Sequence, residues 1–264
     1  MGLKVAISGK GGTGKTLLSA LLCRVFKEEG YKVLAVDADP DANLAATLGF
    51  PDPYGITPMI EMKELIEERT GVKPGTRAVF FKMNPTVDDI PDKYAVEHEG
   101  IRLMVMGSPR PGGSGCFCPE NSFLKALISH LLLRREEVVV MDMEAGIEHL
   151  GRGTAEAVDA LLVVVEPGMR SVETARKIKA MAMDLGIKRI FAVGNKVRSE
   201  RDKNFLLESM REFEFLGFIP FSERLLLAEL EGRPPLEADS KILEAGRRIA
   251  HELASKLQLK SVIV

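Results

Sequence analysis

Residues 9–16 read GKGGTGKT, a glycine-rich run whose spacing matches G-x-x-x-x-G-K-[ST]. The pattern needs glycines where main-chain N–H groups must close around phosphate oxygens without a Cβ in the way. Lys15 then reaches the β- and γ-phosphates, and the Thr16 hydroxyl is placed to ligate Mg²⁺. The flanks suit this chemistry. LKVAISG (3–9) is a short apolar strand, and TLLSALLCRVFKEEG (16–30) is an amphipathic helix closing in Gly30. Phosphates would rest on the N-terminus of that helix, where unpaired N–H groups and the helix dipole favour anions. The phosphate-binding set is therefore Gly11, Gly12, Thr13, Gly14, Lys15, Thr16 and Leu17, and the sequence is that of a nucleoside-triphosphate-binding chain. A second lysine, Lys10, stands ahead of the usual one.

Acidic residues stand at further strand ends. Asp37 and Asp39 close the second apolar strand (31–39), and VVVMD ends in Asp142, the expected place for a carboxylate that holds Mg²⁺ through water. Gly146, in the MEAG that follows, can offer a peptide N–H to a γ-phosphate. A lone carboxylate at such a position is often only a helix cap, but several around one phosphate loop point to metal. GNKVR (194–198) sets Asn195 and Lys196 at another strand terminus, as in the guanine-reading N-K-x-D motif. Position 198 is Arg, so the acceptor for guanine N1 and N2 is missing, while Asn195 can still hydrogen-bond adenine. ATP is the expected nucleotide.

Cys116 and Cys118 form a C-x-C. In extended chain, residues two apart point to one side, so both sulfurs can face one point. Two thiolates are half of a soft-metal site, and a second copy across a two-fold axis would supply four. A planar S₄ set suits Ni(II) and a tetrahedral one Zn(II). Glycines 112, 113 and 115 would let this segment move. Cys23, beside Leu21 and Leu22 in the first helix, reads as core.

The rest of the chain must position these groups. The 264 residues are 45% apolar and 28% charged, ordinary for a globular protein. A net charge of −2 argues against general nucleic-acid or membrane-surface binding. No apolar run reaches the roughly 20 residues that cross a bilayer, no signal peptide is read at the N-terminus, and three cysteines suit a reducing cytoplasm. Strands are expected at 3–9, 31–39, 101–107, 137–143, 159–167, 188–196 and 213–221, and helices at 16–30, 58–70, 121–135, 170–185, 200–212 and 242–257. Continuous apolar strands alternating with helices predict an α/β fold: a doubly wound, mostly parallel sheet of about seven to eight strands, covered by helices on both faces. The expected organisation is a single domain over 1–264, with an irregular insertion around 71–100 and the Cys-x-Cys segment at 116–118.

Lys10, the D-x-D at 37–39 and the D-x-E-A-G at 142–146 together resemble the deviant Walker A ATPases, the group of MinD and ParA, nitrogenase iron protein and the arsenite and tail-anchor ATPases. The resemblance implies a P-loop ATPase of MinD-like fold whose subunits pair face to face on ATP. It implies that Lys10 acts on the partner's nucleotide, as an arginine finger does. Asp39 would orient the attacking water, Asp37 and Asp142 would support Mg²⁺ with Thr16, and Asn195 would contact adenine. The CFC after a Gly-rich loop, with MDMEAGIEHLGRGTA (141–155), EFLGFIPF and LEGRPPLE, looks like the CooC-type ATPases, which deliver nickel to carbon monoxide dehydrogenase. By that resemblance Pro220 lies by the adenine, and nickel binds between two chains through Cys116 and Cys118 of each. It implies a cytoplasmic homodimeric metallochaperone whose client is carbon monoxide dehydrogenase or a related nickel enzyme, with neither nucleic acid nor membrane as partner. Glu144, Glu148 and His149 fall in the stretch that would couple nucleotide to metal.

Other classes fit less well. A MinD/ParA-like positioning ATPase would need a membrane or DNA surface, whereas the apolar face of the last helix (Ile242, Ala245, Ile249, Leu253, Leu257) is expected on the sheet. An Fe–S protein like nitrogenase iron protein draws its cysteines from two separated positions. A tail-anchor ATPase needs a Met-rich groove, and Met59, Met62, Met104 and Met106 read as core.

Overall fold

A computed structural model describes residues 2–75, 80–107, 118–134, 137–144 and 152–258. In chain order the elements are β1 (Lys4–Gly9), α1 (Lys15–Glu28), β2 (Val33–Ala38), α2 (Leu44–Leu48), α3 (Lys63–Thr70), α4 (Ile90–Tyr94), β3 (Val96–His98), β4 (Ile101–Val105) and α5 (Cys118–Arg134). There follow β5 (Val138–Met143), α6 (Arg152–Ala155), β6 (Ala160–Val165), α7 (Met169–Asp184), β7 (Ile190–Val197), α8 (Glu200–Ser209), β8 (Glu214–Pro220), α9 (Glu223–Leu230) and α10 (Ser240–Lys256).

The strands form one eight-stranded sheet in the order β3-β4-β2-β5-β1-β6-β7-β8. Every neighbouring pair is parallel except β3–β4. Strand alternation sends Val5 and Ile7 to one face and Ala6 to the other, so the core has two halves. One half is closed by α1, α2 and α10, the other by α3, α5 and α7. The five apolar residues named for the last helix are all buried, docked against the sheet and α1. Close approach is allowed by Gly246, where a Cβ would stand 3.1 Å from Leu21. Cys23, Met59, Met104 and Met106 are buried and Met62 is half-buried against the same core, as their sequence settings predict.

The sequence expectations need three corrections of detail. The 71–100 insertion is not irregular throughout: it ends in α4 and in β3, which turns back onto β4. That turn is made by Glu99 and Gly100, both at positive φ (47° and 75°), the geometry of a tight two-residue hairpin. The helix expected from residue 58 starts later, with a 3₁₀ turn over Met59–Glu61 before α3. Helix α9 was not foreseen, and it leaves Leu226, Leu227 and Leu230 exposed.

Candidate functional site

The order reverses direction around β1, which has β5 on one side and β6 on the other. In open α/β sheets the crevice beyond the carboxyl ends of such strands is where ligands bind. The loop from Gly9 to Gly14 leaves β1 at that point. Two of its glycines have no alternative. A Cβ on Gly9 would lie 2.5 Å from the Val164 carbonyl oxygen, and one on Gly14, at φ +93°, 2.1 Å from Asn195 Nδ2. Thr13 is buried, with both its N–H (3.2 Å) and its hydroxyl (2.7 Å) donating to Lys10 O, which closes the loop on itself. Helix α1 then begins with no side-chain cap and no acid in its first turn, so its N–H groups remain available to an anion.

The charged groups converge on this loop. Lys15 is buried and its Nζ lies 3.7 Å from Asp39 Oδ2. Asp142, at the end of β5, accepts a hydrogen bond from Ser19 Oγ (3.1 Å) and lies beside the Thr16 hydroxyl. Asp142 Oδ2 is buried without a hydrogen-bond partner. Asp37 and Asp142 stand side by side in the pairing of β2 with β5. Both Asp37 oxygens accept main-chain N–H groups, from Asp39 (3.2 Å) and Leu44 (2.9 Å), so Asp37 shapes the loop that carries Asp39. Burial, with Asp142 nearby, pushes Asp37 up to about 7, and burial pushes Asp142 up to about 6.

These residues fit a magnesium ion held through one hydroxyl, a carboxylate and water. Thr16 supplies the hydroxyl, Asp142 an unsatisfied buried oxygen, and a cation there would offset the proximity of two acids. Among the described residues no three His, Cys, Asp or Glu side chains gather as a direct metal cage.

Both acids titrate higher in the folded chain than at their ordinary 3.8, so folding takes up protons as pH falls. Their cost to stability is complete above pH ~7 and is relieved between pH ~7 and ~4. The protein without magnesium and nucleotide should therefore melt higher at pH 6 than at pH 8. Asp142→Asn should flatten that slope and weaken magnesium-dependent ATP binding by about 10–100-fold. Thermal melts and calorimetric titration check both; wild-type behaviour in both would remove Asp142 from the site.

Asn195 and Lys196, at the end of β7, brace the loop. Asn195 is buried, its Nδ2 donating to Thr13 O (2.7 Å) and its Oδ1 accepting from Lys196 N (2.8 Å). Lys196 Nζ donates to Gly12 O and pairs with Glu166 (3.3 Å). The amide read as an adenine contact is thus already engaged with the phosphate loop. Pro220 ends β8 beside Val197. Lys10 is half-exposed, 4.0 Å from Glu166. The sequence reading missed Ser19 and Glu166; an acid just past β6, like those past β2 and β5, was the available signal.

The cysteine pair is described in part. Cys118 opens α5 and is exposed. Cys116, the glycines before it, Gly146, Glu148 and His149 lie outside the described residues. Glu144 is exposed, its carbonyl accepting from Ser8 Oγ (3.3 Å).

Residues 4–236 match the family model described as the CobQ/CobB/MinD/ParA nucleotide binding domain. The carbon monoxide dehydrogenase accessory protein CooC of Rhodospirillum rubrum is 47% identical over 232 residues, 87% of this chain and 88% of that protein. The chain belongs to the CobQ/CobB/MinD/ParA family, in its CooC-type branch. Other members include an uncharacterised ATP-binding protein of Methanocaldococcus jannaschii, 46% identical over 90% of this chain and 93% of its own. Among solved structures, MinD of Pyrococcus horikoshii with Mg-ADP superposes with a TM-score of 0.66 at 23% identity, covering all of both chains. MinD in the Aquifex aeolicus MinC:MinD complex gives 0.69 at 19% identity, covering 98% and 97%. These two bear on the fold, which is that of a MinD-like P-loop NTPase. As a CooC-type member of this family the protein is an ATPase. No described helix is long and apolar enough to cross a membrane.

Proposed function

We propose that this ATPase is an ATP-dependent nickel metallochaperone that serves carbon monoxide dehydrogenase or a related nickel enzyme. The observation that carries the reading is the 47% identity, across 88% of its length, to an accessory protein of carbon monoxide dehydrogenase. The geometry supplies the motor. Lys15 and the N–H groups of the loop and of α1 bind the phosphates, with the base near Asn195, Lys196 and Pro220. Magnesium, when bound, neutralises charge on the β- and γ-phosphates. Thr16 and Asp142 would hold it, with Asp37 assisting through water. Asp39 orients the attacking water, next to Lys15, and Lys10 stabilises the transferring phosphoryl group on the partner chain.

Nickel is the cargo. Cys116 and Cys118 of two facing chains supply four thiolates, a set that also accepts Zn(II). Hydrolysis then changes how the two chains face each other and releases the metal to the client in the cytoplasm.

The test is activation of nickel-depleted carbon monoxide dehydrogenase by the reduced, nickel-loaded protein. Activity should return with ATP and not with a non-hydrolysable analogue. Equal activation with and without ATP would reject the coupling of hydrolysis to delivery.

A further inference from the structure

Glu166 stands where β6 leaves the sheet, two residues past Val164, the partner of Gly9 in the β1–β6 register. Its peptide N–H donates to Ser171 Oγ (3.1 Å) in the first turn of α7, which fixes the backbone that carries the carboxylate. The two carboxylate oxygens face different lysines. Oε1 lies 4.0 Å from Lys10 Nζ and Oε2 3.3 Å from Lys196 Nζ. Lys196 is itself held: it donates to Gly12 O and sits at φ 56°, a left-handed conformation disfavoured outside glycine. One arm of Glu166 therefore ends on a lysine that is itself held to the phosphate loop, and the other on Lys10, whose ammonium has no other ion pair among the described residues.

We infer that Glu166 is a positioning residue that holds Lys10 on its own chain and thereby sets how readily ATP pairs two chains. The inference rests on the reading that Lys10 acts in trans. A lysine that must reach a partner's phosphate has to leave Glu166 first. With side chains 40% and 30% exposed, the pair is open to an incoming chain and screened by water, so its release is a modest cost. An exposed ion pair of this kind biases an equilibrium by about 3-fold, and the two pairs released in a symmetric dimer by about 10-fold. That is the scale of a threshold and not of a block. The lysine stays on its own chain when protein is dilute, and transfers when paired chains and bound nucleotide offer it a stronger anion.

The test uses the full chain with Glu166→Gln, which keeps a hydrogen-bonding group toward Lys196 while removing the charge. ATP turnover per chain is followed against protein concentration, with dimer content measured by sedimentation in a non-hydrolysable ATP analogue. The concentration at half-maximal turnover should fall about 10-fold, and the dimer midpoint should fall with it. Glu166→Asp, which retains the charge, should restore the wild-type midpoint within about 2-fold. ADP affinity, which does not involve pairing, should stay within a few-fold of wild type. An unmoved or higher midpoint in Glu166→Gln overturns the inference. So does loss of ADP binding, which would mean that Glu166 acts on the loop through Lys196. Full turnover in Lys10→Ala would instead sink the trans-lysine reading. An inactive Lys10→Ala with an unmoved Glu166→Gln midpoint removes this inference alone.

Discussion

Replacing Lys10 with alanine is expected to abolish ATP turnover while leaving ATP affinity within a few-fold of wild type. The separation follows from where the two lysines sit. Lys15 is buried against Asp39 and belongs to the cradle, so binding depends on it. Lys10 projects from the outer edge of the loop with 40% of its side chain exposed, and contributes to the cradle only through its carbonyl, which Thr13 holds. Alanine keeps that carbonyl. A cation delivered to a transferring phosphoryl group from a partner accounts for about 10³–10⁵ in rate where such residues have been removed from other phosphoryl-transfer enzymes. Single-turnover hydrolysis beside a nucleotide titration gives both quantities, and full activity in Lys10→Ala would eliminate the trans-lysine role. Mixing Lys10→Ala with chains carrying an inactive phosphate loop offers a sharper form of the same result. Each dimer of one Lys10→Ala chain and one Lys15→Ala chain retains a competent nucleotide site facing an intact Lys10, so turnover should partly return.

Cys116→Ser with Cys118→Ser should give a folded, ATP-binding protein that takes up no nickel. Folding is expected to survive because Cys118 lies exposed at the first turn of α5, where serine, of similar size, disturbs no buried packing. The apolar side of that helix, with Phe123, Leu127 and Leu131 buried in the core, is untouched. Metal binding is expected to vanish because Cys23, the remaining cysteine, is fully buried and its thiol is pushed well above the ordinary range by burial and by Asp142. It cannot substitute. Equilibrium dialysis of the reduced protein measures the stoichiometry; an unchanged value in the double variant would place the metal elsewhere.

The sheet was legible in the sequence because its central strands are unbroken apolar runs. VVVMDM and ALLVVV, completely buried in β5 and β6, admit little other than a parallel sheet covered on both sides. The phosphate loop was legible because it requires particular residue types at fixed spacing. The β3–β4 hairpin was not, since Glu-Gly is a weaker turn signal than Asn-Gly and β3 is only three residues long. Helix α9 escaped because three of its four leucines, Leu226, Leu227 and Leu230, are exposed, which blurs the periodicity that marks a docked helix. In the site, residue types predicted which groups gather, and contacts decided their roles. Asn195 was read toward the base from its motif, and the fold adds a bond from its Nδ2 to Thr13 O, a contact 182 residues away in sequence. Glu166 carried no motif at all, and only the register of β6 against β1 brings it to Lys10.

A nickel site shared between two chains is tested most directly by an anaerobic Ni(II) titration of the reduced protein. Sulfur-to-metal charge-transfer absorbance and molecular mass are followed together. Saturation at one metal per two chains, with a shift from monomer to dimer, is the predicted result. No uptake, with ATP alone producing the dimer, would contradict it and leave an ATPase whose pairing serves something other than metal delivery.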